Sequence, residues 1–265
     1  MRKLLLLLVI LCGFQKVYSQ ESKSFILGNI DEISSKELSE KRILNIYLPE
    51  GYNQKDTISY PVIYLLDGSA DEDFIHIAGL VQFSSFPWVN ILPKSIVVGI
   101  ANIDRKRDFT FPTTIEKDKI DFPTTGGSQK FISFLEKELQ PFIEKKYKTN
   151  SSKTIIGQSL GGLLATEILF TKPNLFSKYI IISPSLWWDN ESLLDGRKVI
   201  FENKTSIYIG VGNEGKVMVN DAKRLKKILK GYNSKNIDIE YEFFKTENHA
   251  TIMHQAVYNA FEKLN

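Results

Sequence analysis

The chain has 265 residues, 43% of them hydrophobic and 25% charged, with 34 basic against 31 acidic side chains and one cysteine. That is ample for one large domain with a buried core. The composition excludes a disordered or collagen-like chain and a multi-pass membrane protein, and the single cysteine excludes a disulfide-stapled scaffold.

Arg2 and Lys3 precede an apolar run from Leu4 to Cys12 that extends to Phe14, and Val17-Tyr18-Ser19 resembles a cleavage site. This is the layout of a secretory signal peptide, so residues 1–19 are set aside and 20–265 are expected to form a single domain. The run is too short to span a bilayer comfortably. The alternative is a lipoprotein signal with Cys12 lipidated, although Leu11 stands where such signals carry a small residue. The expected location is periplasmic or secreted, with a lipid-anchored outer-membrane form second. Residues 1–19 carry Arg2, Lys3 and Lys16 and no acid, so the remainder balances at 31 basic and 31 acidic residues. No nucleic-acid partner is expected from that balance, and no stable membrane insertion once the leader is removed.

Phe25–Ile30 and Ile43–Leu48 read as the first two strands, the second stopping at Pro49-Glu50-Gly51. Val62–Leu66 is apolar throughout and ends at Asp67-Gly68; Ile96–Ala101 is similar. An irregular stretch from Asn102 to Gly127, with two Phe-Pro steps, is long enough to be functional or mobile. Phe131, Phe134, Leu135, Leu139, Phe142 and Ile143 form the apolar stripe of a helix over about Ser128–Tyr147, which Pro141 is expected to kink or end early. Thr154–Ile156 is a strand, followed by a helix lined by Leu163, Leu164 and Ile168. Tyr179–Ile182 and Ile207–Val211 are further strands. Ala222, Leu225, Ile228 and Leu229 line the next helix, with Lys223, Arg224, Lys226 and Lys227 pointing away. Ile237–Phe244 is a last, alternating strand, and Ile252, Ala256, Val257, Ala260, Phe261 and Leu264 line the last helix. Short, continuous apolar strands alternating with helices predict an α/β fold: a mostly parallel sheet of about eight strands with helices on both faces.

The sharpest chemical signal is Gly157-Gln158-Ser159-Leu160-Gly161, between a predicted strand and a predicted helix. That context is what a nucleophile elbow requires. The turn would hold Ser159 in a strained conformation at the carboxyl end of the sheet, near a helix N-terminus that favours negative charge. A serine hydroxyl needs a base, and in the α/β-hydrolase order the acid and then the histidine follow it. Only His249 and His254 lie beyond Ser159. His249 falls between the last strand and the last helix and is the expected base; His254 falls within the helix, and His76 comes too early. The acid is expected at Glu214, in the loop after Ile207–Val211, with Asp221 the main competitor and Glu247 turned to solvent. The oxyanion is expected to meet the backbone N–H of Leu160 and one from the turn after Asp67, at Gly68 or Ser69.

These residues resemble the esterase family of α/β hydrolases that includes enterobactin-type siderophore esterases, S-formylglutathione hydrolases, feruloyl and acetylxylan esterases and mycolyltransferases. The resemblance covers nearly the whole chain beyond the leader. Pro61–Gly68 is similar to the family's third-strand motif. Asn102, Arg107, Asp108 and Thr110 are similar, loosely spaced, to N-x-x-R-x-x-D-x-T. Gly126-Gly127 with Phe131, Phe134, Leu135, Glu138, Leu139, Pro141 and Tyr147 is similar to its G-G…F…F-L…E-L-x-P…Y helix. Ser183-Pro184-Ser185-Leu186-Trp187-Trp188 is similar to S-P-S-x-W-W. The resemblance implies an α/β-hydrolase fold and serine-hydrolase catalysis without metal or cofactor. Trp187 and Trp188 are candidates to stack on an acyl or aryl group, with core packing as the alternative. Arg107 is a candidate for a carboxylate or phenolate, with a solvated loop as the alternative. The expected function is an exported serine esterase acting on a small-molecule or carbohydrate ester, such as a siderophore or aryl ester. The alternatives are an acyltransferase with the same nucleophile and a catalytically idle binding protein.

Overall fold

The computed structural model describes residues 22–55, 57–196 and 198–265. The expected signal segment and Cys12 lie outside them. Eight strands form one sheet: β1 Asn29–Ser35, β2 Glu40–Tyr47, β3 Tyr60–Leu65, β4 Ile96–Ile100, β5 Thr149–Gln158, β6 Lys178–Ile182, β7 Thr205–Gly212 and β8 Ile237–Phe244. Their order is β1-β2-β4-β3-β5-β6-β7-β8. The β1/β2 and β2/β4 pairs are antiparallel, and every pair from β4 onward is parallel. The parallel strands therefore bring their carboxyl ends to one rim, where α/β sheets place their sites.

Helices cover both faces, as the apolar strands demand. On one side pack α1 (Phe74–Ser84), through Ile77, Ala78 and Val81, and α7 (Ile252–Leu264), through Ala256, Val257 and Ala260. On the other lie α4 (Ser128–Phe134, continuing to Lys146), α5 (Leu160–Thr171) and α6 (Lys216–Gly231). Helix α5 is buried along nearly its whole length, which fits its almost uniformly apolar sequence. Helix α6 buries Ala222, Leu225 and Leu229 and turns Lys223, Lys227 and Lys230 outward, while Lys226 lies over the Tyr241 ring.

Two local expectations are corrected and one is narrowed. The first strand begins at Asn29, not Phe25; Phe25 and Ile26 are exposed, and the chain at Gly28 passes so close to β2 that a Cβ would lie 2.3 Å from the Ile46 carbonyl oxygen. Of the two outcomes expected at Pro141, the helix is distorted and does not end. The backbone opens into a π turn over Leu135–Leu139 before resuming at Gln140–Lys146. The widened turn removes the clash between the proline ring and the carbonyl four residues back. The stretch from Asn102 to Gly127 holds two short helices, α2 (Arg105–Phe109) and α3 (Glu116–Asp121).

Helix α2 is pinned to β2 by charge. Arg42, wholly buried, bonds Asp108 Oδ2 at 2.5 Å and also Glu40; Arg107 bonds Asp108 Oδ1 and Glu40 Oε1, each at 2.7 Å. Asp108 is 1% exposed. Replacing it would strand the Arg42 guanidinium with one carboxylate fewer in a dry interior. Asp108→Ala is expected to cost about 3–5 kcal/mol in unfolding free energy, measured by urea titration.

Candidate active site

Strand β5 runs into α5 through a turn in which Ser159 adopts φ 58°, ψ −119°. A non-glycine residue there carries about 1–3 kcal/mol of strain. Gly157 makes the turn possible: a Cβ on it would lie 2.4 Å from the Gly161 carbonyl oxygen. Ser159 N–H donates to the Ile182 carbonyl on β6 at 3.0 Å, and Ser159 O accepts from Leu163 N–H at 2.9 Å and Ser185 N–H at 3.0 Å. The strained residue is thus fixed from three sides. The Leu160 N–H opens α5 and has no acceptor within the helix.

The loop after β7 supplies Glu214, and the loop after β8 supplies His249. Glu214 Oε2 lies 2.6 Å from His249 Nδ1. Glu214 Oε1 accepts from the Ser183 hydroxyl at 2.5 Å and the Gly212 N–H at 2.9 Å. Burial pushes the Glu214 carboxyl up, but the bonds from His249, Ser183 and Gly212 outweigh it and hold the group below the ordinary glutamate range. Two hydrogen bonds set the loops: the backbone Asn213 N–H donates to Glu247 O at 2.8 Å, and the Gln158 side-chain Nε2 donates to His249 O at 2.5 Å.

Ser159 and His249 line the same cleft, with Ser185, Trp187, Glu214 and Met218, in a volume of about 230 Å³. Ser159 Oγ lies 3.2 Å from Ser185 Oγ. Among the described residues it makes no hydrogen bond to His249, which is common for unliganded hydrolytic sites. A second depression of about 410 Å³ meets the first at Ser159 and His249 and is walled by Asp67, Glu72, Asp73, Arg105 and Gln158. A depression of about 430 Å³ lined by Gln140, Lys153, Leu175 and Asn203 shares none of these residues, so volume alone does not mark the chemistry here.

The other expected site residues divide. Trp187 is half-buried in the cleft, whereas Trp188 is fully buried, donates Nε1–H to Phe111 O at 2.9 Å and packs edge-on to Phe122. Trp188 is a core residue. Arg107 is not at the cleft either; its guanidinium is committed to Asp108 and Glu40. Arg105 takes that place, with Nε and Nη2 on the two Asp67 oxygens at 2.6 and 2.9 Å and Nη2 on Gln158 O at 3.2 Å. The strict spacing N-x-x-R-x-x-D-x-T selects Asn102, Arg105, Asp108 and Thr110, so the signal for Arg105 was present. Gly68 is excluded as an oxyanion donor because its N–H is donated to Ile100 O at 3.0 Å. Ser69 N–H rests on Glu72 Oε2 at 3.3 Å. Ser183, Ser185 and Met218 join the site without a sequence expectation, although both serines lie in the Ser183-Pro184-Ser185 segment. Among the described residues no group of three or more His, Cys, Asp or Glu is arranged to hold a metal ion.

The match to known proteins now decides the family. The Esterase family model matches residues 35–261. The chain belongs to that family. It is 30% identical to an IroE-like serine hydrolase of Shewanella oneidensis, covering 89% of this chain and 79% of that one with a TM-score of 0.78. It is 28% identical to the BES protein of Bacillus cereus, covering 92% and 97% with a TM-score of 0.78. It is 32% identical to the ferri-bacillibactin esterase BesA of Bacillus subtilis over 186 residues, 65% of this chain and 64% of that protein. The chain thus spans just under two thirds of that curated relative. The eight-stranded sheet with helices on both faces is the α/β-hydrolase fold of this esterase family.

Asp221 sits apart from His249, buried on α6, with Oδ2 lacking any hydrogen-bond partner. Burial, then the Glu191 charge, push its carboxyl up to about 6, against the pull of Arg224. A raised folded pKa means that the unfolded chain ionises first, so the penalty is absent below the ordinary aspartate pKa, builds as pH rises from there and is complete above about 6. Asp221→Asn is expected to gain about 1–2 kcal/mol at pH 8, after solvent screening, and nothing at pH 4, measured as Tm against pH.

Proposed function

We propose that this chain is an exported serine esterase in which Ser159 is the nucleophile, His249 the general base and acid, and Glu214 the group that orients the imidazole. The observation that carries this reading is a strained serine at a strand-to-helix turn, sharing a cleft with a histidine whose Nδ1 is bonded to a buried carboxylate. In this mechanism Ser159 Oγ turns from Ser185 towards His249 Nε2, loses its proton there and attacks the ester carbonyl. The oxyanion is met by the N–H of Leu160 and that of Ser69, the latter drawn from its long bond to Glu72. His249 then protonates the departing alcohol, and the acyl-enzyme forms. Water, deprotonated by His249, releases the acid and restores Ser159.

The substrate class we assign is a small-molecule ester whose acyl or aryl part stacks on Trp187, of the kind carried by catecholate siderophores. Two things support it: the half-exposed indole beside the nucleophile, and relatives named as a ferri-bacillibactin esterase and an IroE-like serine hydrolase. Export rests on the layout of residues 1–19, and among the described residues no helix is long and apolar enough to cross a membrane.

Ser159→Ala is expected to abolish hydrolysis of p-nitrophenyl acetate and labelling by a fluorophosphonate probe, with an unchanged circular dichroism spectrum. Persistent turnover in that variant rejects the assignment. Trp187→Ala is expected to raise KM for an aryl ester by about tenfold, with a smaller effect on an acetyl ester, in paired steady-state assays. Equal effects on both esters would remove Trp187 from substrate recognition.

A further inference from the structure

Ser183 follows β6 directly, is wholly buried and adopts φ 41°, a left-handed conformation that glycine would take without strain. Its N–H donates to Gly210 O on β7 at 2.8 Å. Its hydroxyl is spent on Glu214 Oε1. The Gly212 N–H reaches the same oxygen, so Oε1 is held by two donors and Oε2 is left for His249. The Glu214 N–H bonds back to Gly212 O at 3.0 Å, so the side chain folds over the end of its own strand. A glutamate is one methylene longer than an aspartate and needs such anchoring to present one fixed oxygen to an imidazole. Of the two serines in Ser183-Pro184-Ser185, one therefore touches the acid and the other the nucleophile.

We propose that Ser183 is a positioning residue: its hydroxyl locks the Glu214 carboxylate so that Oε2 faces His249, and it sets how tightly the His249–Glu214 pair holds a proton. The proposal rests on the reading of Glu214 as the orienting acid. A carboxylate that accepts a hydroxyl bond is less basic towards its other partner. Without that bond Oε2 carries more of the charge and binds the Nδ1–H of His249 more strongly. Among the described residues, His249 is the titratable side chain hydrogen-bonded to Glu214. The charged groups facing His249 across the adjoining depression are Asp67 after β3, Glu72 and Asp73 before α1, and Arg105 on α2. All four are untouched by a change at Ser183.

The test compares pH profiles of kcat/KM for p-nitrophenyl acetate in the wild type, Ser183→Ala, Ser183→Gly, Glu214→Gln and the Ser183→Ala/Glu214→Gln double variant. Both Ser183 variants should move the acid limb up by about 0.5–1 pH unit and lower kcat about tenfold, with KM nearly unchanged. The glycine variant relieves the backbone strain, so its Tm keeps the comparison interpretable if the alanine variant is unstable. In the Glu214→Gln background, Ser183→Ala should add no further shift. An unmoved or lowered acid limb in the folded glycine variant overturns the proposal while leaving Glu214 as the acid. Unchanged turnover and profile in Glu214→Gln overturns the reading of Glu214, and the role of Ser183 with it.

Discussion

At Gly157 the chain passes within van der Waals range of the Gly161 carbonyl, and no side chain fits between them. That close approach lets a strand become a helix within a turn. It forces Ser159 to positive φ, lifts its hydroxyl out of the sheet and leaves the first N–H of α5 beside it. The parallel order of β3, β5, β6, β7 and β8 does the rest, because each delivers its following loop to the same rim. Residues as distant in sequence as Asp67, Ser159, Glu214 and His249 meet there without any long excursion of the chain.

The electrostatics of the rim follow from burial. Glu214 would resist ionisation in its sheltered position, and three hydrogen-bond donors reverse that preference. Asp73, with Asp67 and Glu72 as neighbours, is pushed the other way, up to about 6, mainly by burial. Arg105 offsets part of that crowding and ties the turn after β3 to the residue before Ser159. The buried Arg42, Glu40, Asp108 and Arg107 cluster holds α2, and through it Arg105, in place.

The sheet and its helices were legible because apolar runs and helical stripes are local signals, and the elbow because strand, turn and helix are contiguous. Edge strand β1 was misplaced because its inward positions are Asp31, Ile33 and Ser35, too polar to stand out against the neighbouring Phe-Ile-Leu run. The split between Trp187 and Trp188 was invisible because consecutive residues on a turn point in different directions. Arg107 and Arg105 lie two residues apart on one short helix; the strict motif spacing singles out Arg105, while the partners, Asp67 for Arg105 and Glu40 for Arg107, come only from the packing. The donor surplus on Glu214 was likewise hidden, since Ser183 and Glu214 lie 31 residues apart.

Ser159 and His249 stand on the divide between two hollows of different character, one bordered by Trp187 and Met218, the other by carboxylates and Arg105. Under the proposed mechanism, an ester laid across that divide would have its scissile bond over the crest and its two halves in separate basins. Natural variation in one basin can then alter which acid is released while the choice of alcohol stays as it was. A single reaction centre so placed can diversify along two independent axes without disturbing its own machinery.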